Sequence, residues 1–154
     1  MRAEELIAGL RNRTTQRGLK CIVAPPAAEA DLAALAQRLA VPLPAGVLHF
    51  YRACDGLQVE DPAVEVWPVA RLTVDATGRV PFAVFDWWHV LAFQVGARNA
   101  ADQWDIVAIA SGAVVTKTMG SFWSNKLFAW IDKRREVWRP TPGPPCEEPE
   151  STEE

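Results

Sequence analysis

The stretch from Pro42 to Leu57 constrains the fold more than any other part of the sequence, because it predicts a short buried helix with a defined start and end. Its two prolines favour a helix start, since proline is tolerated at the first helical position, where its missing N–H needs no partner. Apolar residues then recur at i, i+3, i+4 and i+7, the spacing of one helix face. Asp55-Gly56 predicts the stop, since glycine readily takes the left-handed conformation that closes a helix. The apolar face consists of Val47, Phe50, Tyr51 and Cys54.

A second amphipathic helix is predicted just before this stretch. Pro25-Pro26 marks its expected start, and Glu29 and Asp31 fall in its first turn, where the helix dipole favours negative charge. Only Ala40 and Val41 lie between its expected end and the next proline, so we expect the two helices to meet at a tight corner. The apolar face of this helix consists of Leu32, Leu35 and Leu39.

The run from Pro25 to Leu57 resembles the signature of the SUKH superfamily, which includes the Smi/Knr cell-wall assembly regulators. The pattern of that family is a proline-started helix, the motif V-x-L-P, a second helix with an aromatic residue, and a D-G or N-G stop. The resemblance is sharp over this run and extends only to strand order elsewhere. It implies an α+β fold in which helices pack against a sheet. The matching residues are Leu32, Leu35, Leu39, Val41, Leu43, Pro44, Phe50, Tyr51, Asp55 and Gly56.

The rest of the chain predicts an antiparallel sheet. Segments rich in branched and aromatic residues follow one another at hairpin distance, whereas parallel strands need crossovers of a dozen or more residues. Ser111-Gly112 predicts one of the hairpin turns. This order indicates the α+β class, an antiparallel sheet of about four to six strands with helices packed on one face. The expected strands are 64–68, 80–85, 88–95, 104–110 and 113–119, while 19–23 is either a short edge strand or extended chain.

Helices are predicted at both ends of the domain, and an acidic tail follows the last of them. Glu4 to Arg13 forms the first helix, and Ser121 or Ser124 is expected to cap the final one. Residues 141–154 are mainly proline, glutamate and small residues, which bury too little apolar surface to become ordered. We therefore predict a single domain over residues 1–140 and a disordered acidic tail over 141–154. The final helix is expected to bury Trp123, Leu127, Trp130 and Ile131.

Charge and cysteine content exclude several classes of partner and cofactor. The chain has a net charge of −3, and removing the five glutamates of the tail leaves +2, without the clustered basic stripe that nucleic-acid binding requires. Cys21, Cys54 and Cys146 lie far apart with no C-x-x-C pair, so we expect neither a disulfide framework nor a metal site. Such isolated cysteines are typical of the reducing cytoplasm.

No segment predicts export or a membrane anchor. The N-terminus, MRAEELIAGLRNR, contains two glutamates and lacks the apolar run of a signal peptide. The longest apolar stretch, Val80 to Ala97, contains Asp86, which is costly inside a membrane-spanning helix. We therefore expect a cytoplasmic protein without membrane association.

The sequence contains no motif of a known catalytic class, since G-x-S-x-G, H-E-x-x-H, a P-loop and a dinucleotide-binding fingerprint are all missing. Asp86 and His89 are the one carboxylate–histidine pair that suggests acid–base chemistry. Positions 86 and 89 of an extended strand point to opposite faces, however, so we expect the two side chains not to cooperate. Asp55 and Asp102 are attributed to turns. An enzyme is therefore not expected.

The stretch from Phe85 to Val90, FDWWHV, is the main candidate for a binding surface. In an extended strand Trp87 and Trp88 face opposite sides, so one of them, or Trp67 on the neighbouring strand, is expected on the open face of the sheet. An exposed aromatic patch usually marks a partner site. The alternative is that the tail or loops cover the patch, or that the two tryptophans straddle a bulge. The candidate partner-binding residues are Trp67, Asp86, Trp87, Trp88 and His89.

The resemblance implies a binding module rather than an enzyme. Many bacterial SUKH proteins resemble immunity proteins, which neutralise a cognate polymorphic toxin by occluding its active site. We therefore expect a bacterial protein that binds a toxin domain, without a cofactor, as a monomer or weak homodimer. The alternative is a Smi/Knr-type regulatory scaffold or adaptor that binds a host protein. The resemblance does not assign a family binding surface to this chain. The residues Phe85-Asp86-Trp87-Trp88 occupy the position at which many members of the family have a Gly-Asp turn.

Overall fold

Seven strands form one antiparallel sheet, and their order across the sheet is their order along the chain. The structure, a computed structural model, describes residues 3–61 and 63–133. Each strand after the first pairs with the strand that precedes it in sequence. The strands are β1 (Cys21–Val23), β2 (Leu57–Val59), β3 (Val64–Val66), β4 (Arg79–Phe85), β5 (His89–Gln94), β6 (Asp105–Ala108) and β7 (Val114–Thr116).

Helices occupy the N-terminal part of the chain and also follow the last strand. α1 (Ala3–Gln16), α2 (Glu29–Leu39) and α3 (Ala45–Ala53) precede β2. The final helix consists of α4 (Met119–Ser121), a π-helical segment (Phe122–Leu127) and α5 (Phe128–Lys133). Residues from these helices and from the sheet form one buried apolar cluster, so the predicted α+β architecture is confirmed. Among the described residues, no helix has both the length and the apolar character that crossing a membrane requires.

Two short strands raise the strand count above the expected four to six. β2 follows α3 almost directly and has three residues, too few for an alternating pattern to be visible in the sequence. β1, which the sequence left open as strand or extended chain, is an edge strand that pairs with β2, Cys21 lying opposite Val59. The tail over residues 141–154 and the C-terminal end of the predicted domain lie outside the described residues.

Both proline-preceded helices begin after their prolines, so the predicted starts at Pro25-Pro26 and Pro42 are wrong. A residue that precedes proline is disfavoured in helical conformation. Pro44 is the N-cap of α3 and is itself extended, with φ −61° and ψ 153°. Before α2, a hydrogen bond from Ala27 N to Tyr51 O (2.9 Å) holds the chain in extended form. The prolines thus fix the approach to each helix rather than its first turn.

The corner between α2 and α3 is tight, as predicted, and backbone hydrogen bonds close it. Ala40 adopts the left-handed conformation with φ 59°. Its N–H donates to Gln37 O (3.1 Å), and Val41 N donates to Ala36 O (3.3 Å). These two bonds form the Schellman pattern, which satisfies carbonyl groups at the end of α2 and reverses the chain towards α3.

A β-bulge in β4 directs two consecutive residues into the core. The register against β5 shifts between Pro81 and Ala83, and both Phe82 and Ala83 are completely buried. Strict alternation would send one of them to the outer face of the sheet. The bulge allows the Phe82 ring to stack on Phe93, with the ring centroids 4.0 Å apart.

The final helix buries the face that its sequence predicts, but its cap differs. Thr118 Oγ1 accepts a hydrogen bond from Ser121 N (3.0 Å), so Thr118 is the cap rather than Ser121 or Ser124. The helix then widens into the π-helical segment, which lies between its two α-helical parts. The predicted buried residues Trp123, Leu127, Trp130 and Ile131 are each at most 5% exposed.

Replacing Phe50 with alanine tests the core position of α3. Phe50 is 1% exposed, and its ring centroid lies 5.4 Å from that of Trp123. Phe50→Ala is expected to lower the free energy of unfolding by about 3–5 kcal/mol, the usual cost of deleting a buried aromatic ring. His49→Ala, at an exposed position of the same helix, is the control and should change it by less than about 0.5 kcal/mol. Urea unfolding measures both values, and wild-type stability of Phe50→Ala would contradict the described core.

Candidate partner-binding surface

The connection between β4 and β5 is a tight turn that carries two tryptophans. Phe85 pairs with His89 across the two strands, and Trp88 N donates to Phe85 O (3.2 Å). Between them, Asp86 and Trp87 both have positive φ, 56° and 58°. Two consecutive left-handed residues define a type I′ turn, whose twist matches that of a β-hairpin. We call Asp86, Trp87 and Trp88 the hairpin tip.

Both tryptophans of the hairpin tip are exposed, Trp87 by 56% and Trp88 by 81%. The expectation that they face opposite sides of an extended strand is therefore wrong. Alternation between faces applies to extended residues, and the left-handed backbone at residues 86 and 87 interrupts it. As a result, one end of the sheet presents two large indole rings to solvent.

The turn holds a bulky residue at a position that usually favours glycine. Type I′ turns prefer Asn-Gly or Asp-Gly, because both central residues need positive φ. The left-handed conformation costs a residue with a Cβ atom roughly 1–2 kcal/mol, and Trp87 adopts it. Strained backbone of this kind concentrates at functional sites. The hairpin tip thus retains an exposed tryptophan where backbone energetics favour a smaller residue.

Two hydrogen bonds fix the base of the hairpin tip. Asp86 N (2.8 Å) and Trp130 Nε1 (3.0 Å) both donate to Ala63 O, which lies in the connection between β2 and β3. Trp130 also packs edge-to-face against Phe85, with the ring centroids 5.9 Å apart. The β2–β3 connection and α5 therefore hold the turn in position, which reduces the ordering that a bound partner would have to impose.

Acidic residues lie close to the hairpin tip. Asp86 is exposed within it, and the β2–β3 connection that accepts its backbone hydrogen bond carries exposed Glu60 and Asp61. Glu60 pairs with Lys20, with the Nζ atom 3.7 Å from a carboxylate oxygen. An aromatic centre with acidic neighbours is complementary to a partner surface that carries positive charge.

His89 is half-buried at the first position of β5, directly opposite Phe85. Because Asp86 belongs to a turn, the alternation argument that separates Asp86 from His89 does not apply to them. The structure brings both residues to the same end of the hairpin. That the chain is not an enzyme stays a prediction.

Trp67 lies apart from the hairpin tip. It follows the last residue of β3, whereas the tip adjoins the first, Val64, which pairs with Phe85. The separation along the strand is about 10 Å at roughly 3.3 Å per residue. Trp67 is half-buried, its Nε1 donates to Glu65 (3.2 Å), and the Arg71 guanidinium lies 4.2 Å from its ring centroid. The structure therefore unites four of the five candidate residues and leaves Trp67 in a separate environment.

Other residues that the sequence singles out have structural contacts. Asp55 accepts a hydrogen bond from Val69 N (2.8 Å), fourteen residues further along the chain, so its side chain makes a tertiary contact rather than the expected turn contact. Asp102 accepts a hydrogen bond from Arg98 (3.2 Å). Burial raises the pKa of the Cys54 thiol to about 11, so this cysteine is protonated and weakly nucleophilic at neutral pH. Within residues 3–61 and 63–133, no three His, Cys, Asp or Glu side chains cluster as metal ligands would.

The structure also contains a cavity that the sequence analysis did not predict. It has a volume of about 220 Å³ and lies between α1, α3 and the final helix. Because these helices are distant in sequence, no local pattern marks their common cavity. The only related signal was the predicted burial of Trp123, which forms part of its wall.

The chain matches no protein-family model, no curated protein and no solved structure. The resemblance to the SUKH superfamily therefore rests on the run from Pro25 to Leu57 and stays a prediction. In the structure this run forms α2, the corner, α3 and the start of β2. These residues build the core of the fold, and the hairpin tip lies outside them.

Replacing Trp87 with glycine should stabilise the protein. Glycine adopts positive φ without steric cost, and more than half of the Trp87 surface is already exposed. We expect the free energy of unfolding to rise by about 0.5–1 kcal/mol, because relief of left-handed strain exceeds the entropy that glycine adds to the unfolded chain. Trp88→Ala, outside the positive-φ pair, is the control and should change it by less than about 0.5 kcal/mol. Chemical denaturation compares the two, and a clear loss of stability in Trp87→Gly would show that the indole contributes packing energy.

Proposed function

We propose that the chain is a non-enzymatic protein-binding module, and that it acts as an immunity protein that neutralises a cognate bacterial polymorphic toxin by occlusion. The observation that carries this proposal is the hairpin tip, where Trp87 and Trp88 are exposed by 56% and 81%. Exposed aromatic groups on a protein surface mark interaction sites. Tryptophan is also among the residues most enriched at the energetic centres of interfaces.

The geometry of the hairpin tip suits the centre of an interface. An aromatic side chain of this kind buries roughly 150–250 Å² when covered. Two of them supply a substantial part of the roughly 800 Å² that each partner contributes to a standard interface. The backbone is already fixed through Ala63 O, so little conformational entropy is lost on binding. Asp86 and Asp61 would then lie towards the rim, where charge selects the partner.

The resemblance to the SUKH superfamily supports the class of function. The residues that carry it build the α2–α3 corner and the core, whereas the hairpin tip is where the chain departs from the family pattern. A common scaffold with a divergent exposed turn is how related modules can select different partners. In this proposal the protein acts in the bacterial cytoplasm, without a cofactor, as a monomer or weak homodimer, and binds one toxin domain with nanomolar or better affinity.

The second candidate function is a Smi/Knr-type regulatory adaptor that binds a host protein. The acidic tail favours it, because a run of glutamates without basic residues is a common form of interaction tail. Deleting residues 141–154 separates the two functions. Under the immunity proposal, the dissociation constant of the purified complex should stay within about twofold of wild type, since the folded surface makes the contacts. Loss of binding in calorimetric titration would favour the adaptor.

A survival assay tests the immunity proposal directly. The C-terminal domain encoded by the neighbouring open reading frame is expressed in bacteria with and without this chain, and colonies are counted. The proposal expects toxicity that co-expression relieves, together with a stable complex of the two purified proteins. A harmless neighbour, or toxicity that this chain does not relieve, would contradict the immunity function.

The hairpin tip is tested within the same assay by Trp88→Ala, which should weaken toxin binding by about tenfold or more and reduce rescue. Val74→Ala is the matched control, because Val74 is 46% exposed and precedes Asp75, whose N–H donates to Arg79 O at the opposite end of β4. That end is roughly 20 Å from the tip at about 3.3 Å per residue. Val74→Ala should bind and rescue as wild type does. Full rescue by a Trp87→Gly, Trp88→Ala double variant would show that the tip is not the interface.

A further inference from the structure

β1 forms one edge of the sheet, and the backbone groups on its outer side are unpaired. Ala24 N, just after β1, donates to Gly56 O (3.1 Å), so the backbone groups of Ala24 and of Ile22, two residues earlier, face β2. Such groups alternate between the two sides of a strand, so the N–H and C=O groups of Cys21 and Val23 face away from the sheet. Within residues 3–61 and 63–133, nothing forms a hydrogen bond with these four groups.

The length of this unpaired edge is defined at both ends. At one end, Leu19 N already donates to Thr14 O (2.8 Å). At the other end, Pro25 has no N–H, and its carbonyl oxygen accepts a hydrogen bond from Asp55 N (2.8 Å). Two donors and two acceptors thus remain between these ends, enough to pair with a short extended segment. An unpaired edge of this kind is a template for pairing with another chain.

The side chain at the centre of the edge is apolar and exposed. Cys21 and Val23 pack against the core, so Ile22 lies on the outer face of the sheet, where it is 56% exposed. Natural edge strands are commonly protected by charged residues or proline. β1 has these only beyond its two ends, at Lys20 and Pro25. A strand added to the edge would cover Ile22, because side chains directly opposite each other in antiparallel strands are in contact.

Positive charge flanks the same edge. Lys20 is exposed at one end and pairs with Glu60 at 3.7 Å. Burial raises the pKa of the Cys21 thiol, and the charge of exposed Arg11 of α1 opposes this rise, so the Arg11 guanidinium lies near the edge. Two-fold pairing of two copies through β1 would bring these cations together and is therefore disfavoured. A strand that carries acidic side chains is complementary to this charge.

We propose that β1 binds an extended acidic segment of a partner protein, which adds a further antiparallel strand to the sheet. The backbone of this segment pairs with Cys21 and Val23. An apolar side chain lies opposite Ile22, and acidic side chains lie opposite Cys21 and Lys20. In strand addition of this kind, backbone hydrogen bonds supply affinity and the side chains supply specificity. The site is separated from β4 by two strands and does not depend on the hairpin tip.

Hydrogen exchange of the backbone amides, followed by proton–nitrogen NMR, tests this proposal with the peptide acetyl-Thr-Val-Ile-Glu-Glu-Thr-amide as the probe. The peptide should slow exchange of the Cys21 and Val23 amides, while exchange of the Ile22 amide, which already faces β2, should not change. The matched control peptide carries N-methyl groups on the valine and the first glutamate, whose N–H groups face β1. It should bind at least about tenfold more weakly, because two hydrogen bonds are lost. Replacing both glutamates of the probe with lysine should weaken binding at least about fivefold, and less so in high salt.

Val23→Pro tests the location of the site on this chain. The Val23 N–H faces away from β2, so proline removes a donor from the edge without removing a hydrogen bond of the sheet. Affinity for the probe should fall at least about fivefold, the effect of one lost hydrogen bond. Val23→Thr is the matched control, because threonine is also β-branched and retains the N–H, and it should bind the probe as wild type does.

The comparison of the two peptides uses the unmodified protein, so it does not depend on how proline affects the stability of β1. Equal binding of the probe and its N-methylated form would overturn the proposal. Unchanged exchange of the Cys21 and Val23 amides, tighter binding of the lysine peptide, or wild-type affinity in a folded Val23→Pro variant would each do the same.

Discussion

Two groups of aromatic contacts, which meet where Phe122 and Trp123 follow one another in the final helix, join the helices to the sheet. Phe50 of α3 lies against Trp123 of the final helix, with the ring centroids 5.4 Å apart, and the adjacent Phe122 lies 5.2 Å from Phe82 of β4. Each such pair adds roughly 0.5–1.5 kcal/mol beyond the burial of its surface. Trp130 extends these contacts to the base of the hairpin tip. The final helix therefore contacts α3, the sheet and the hairpin tip at once.

The buried faces of α2, α3 and the final helix could be predicted from sequence because apolar spacing is a local signal. The start of α2 could not, since the conformation before it depends partly on a contact between Ala27 and Tyr51 in separate segments. The three-residue strand β2 was not predicted, and the reason is its length. A strand of that length has too few residues to show a period, and its pairing with β1 and β3 defines it instead.

At the candidate surface, the sequence indicated which residues matter but not how they are arranged. Asp86-Trp87 lacks the glycine that normally marks a type I′ turn. The positive φ at Trp87 follows from the pairing of Phe85 with His89, which depends on the whole hairpin. The rule that the side chains of a strand alternate between its two faces therefore does not hold for these residues, because they do not form a strand. The cavity was beyond prediction for a related reason, since its walls come from helices at opposite ends of the described chain.

The order of the sheet has a consequence for how the protein is made. Every strand after β1 pairs with one that the ribosome has already produced, so the sheet can extend during synthesis. The first helix cannot complete its packing in this way, because Arg13 of α1 forms its ion pair with Asp132 of α5 at 3.0 Å. At about 5–20 residues per second, roughly 6–24 s separate the synthesis of these two residues. During that interval the apolar side of α1, with Leu6 and Leu10, lacks α5, so the nascent chain offers chaperones an exposed site until α5 has been made.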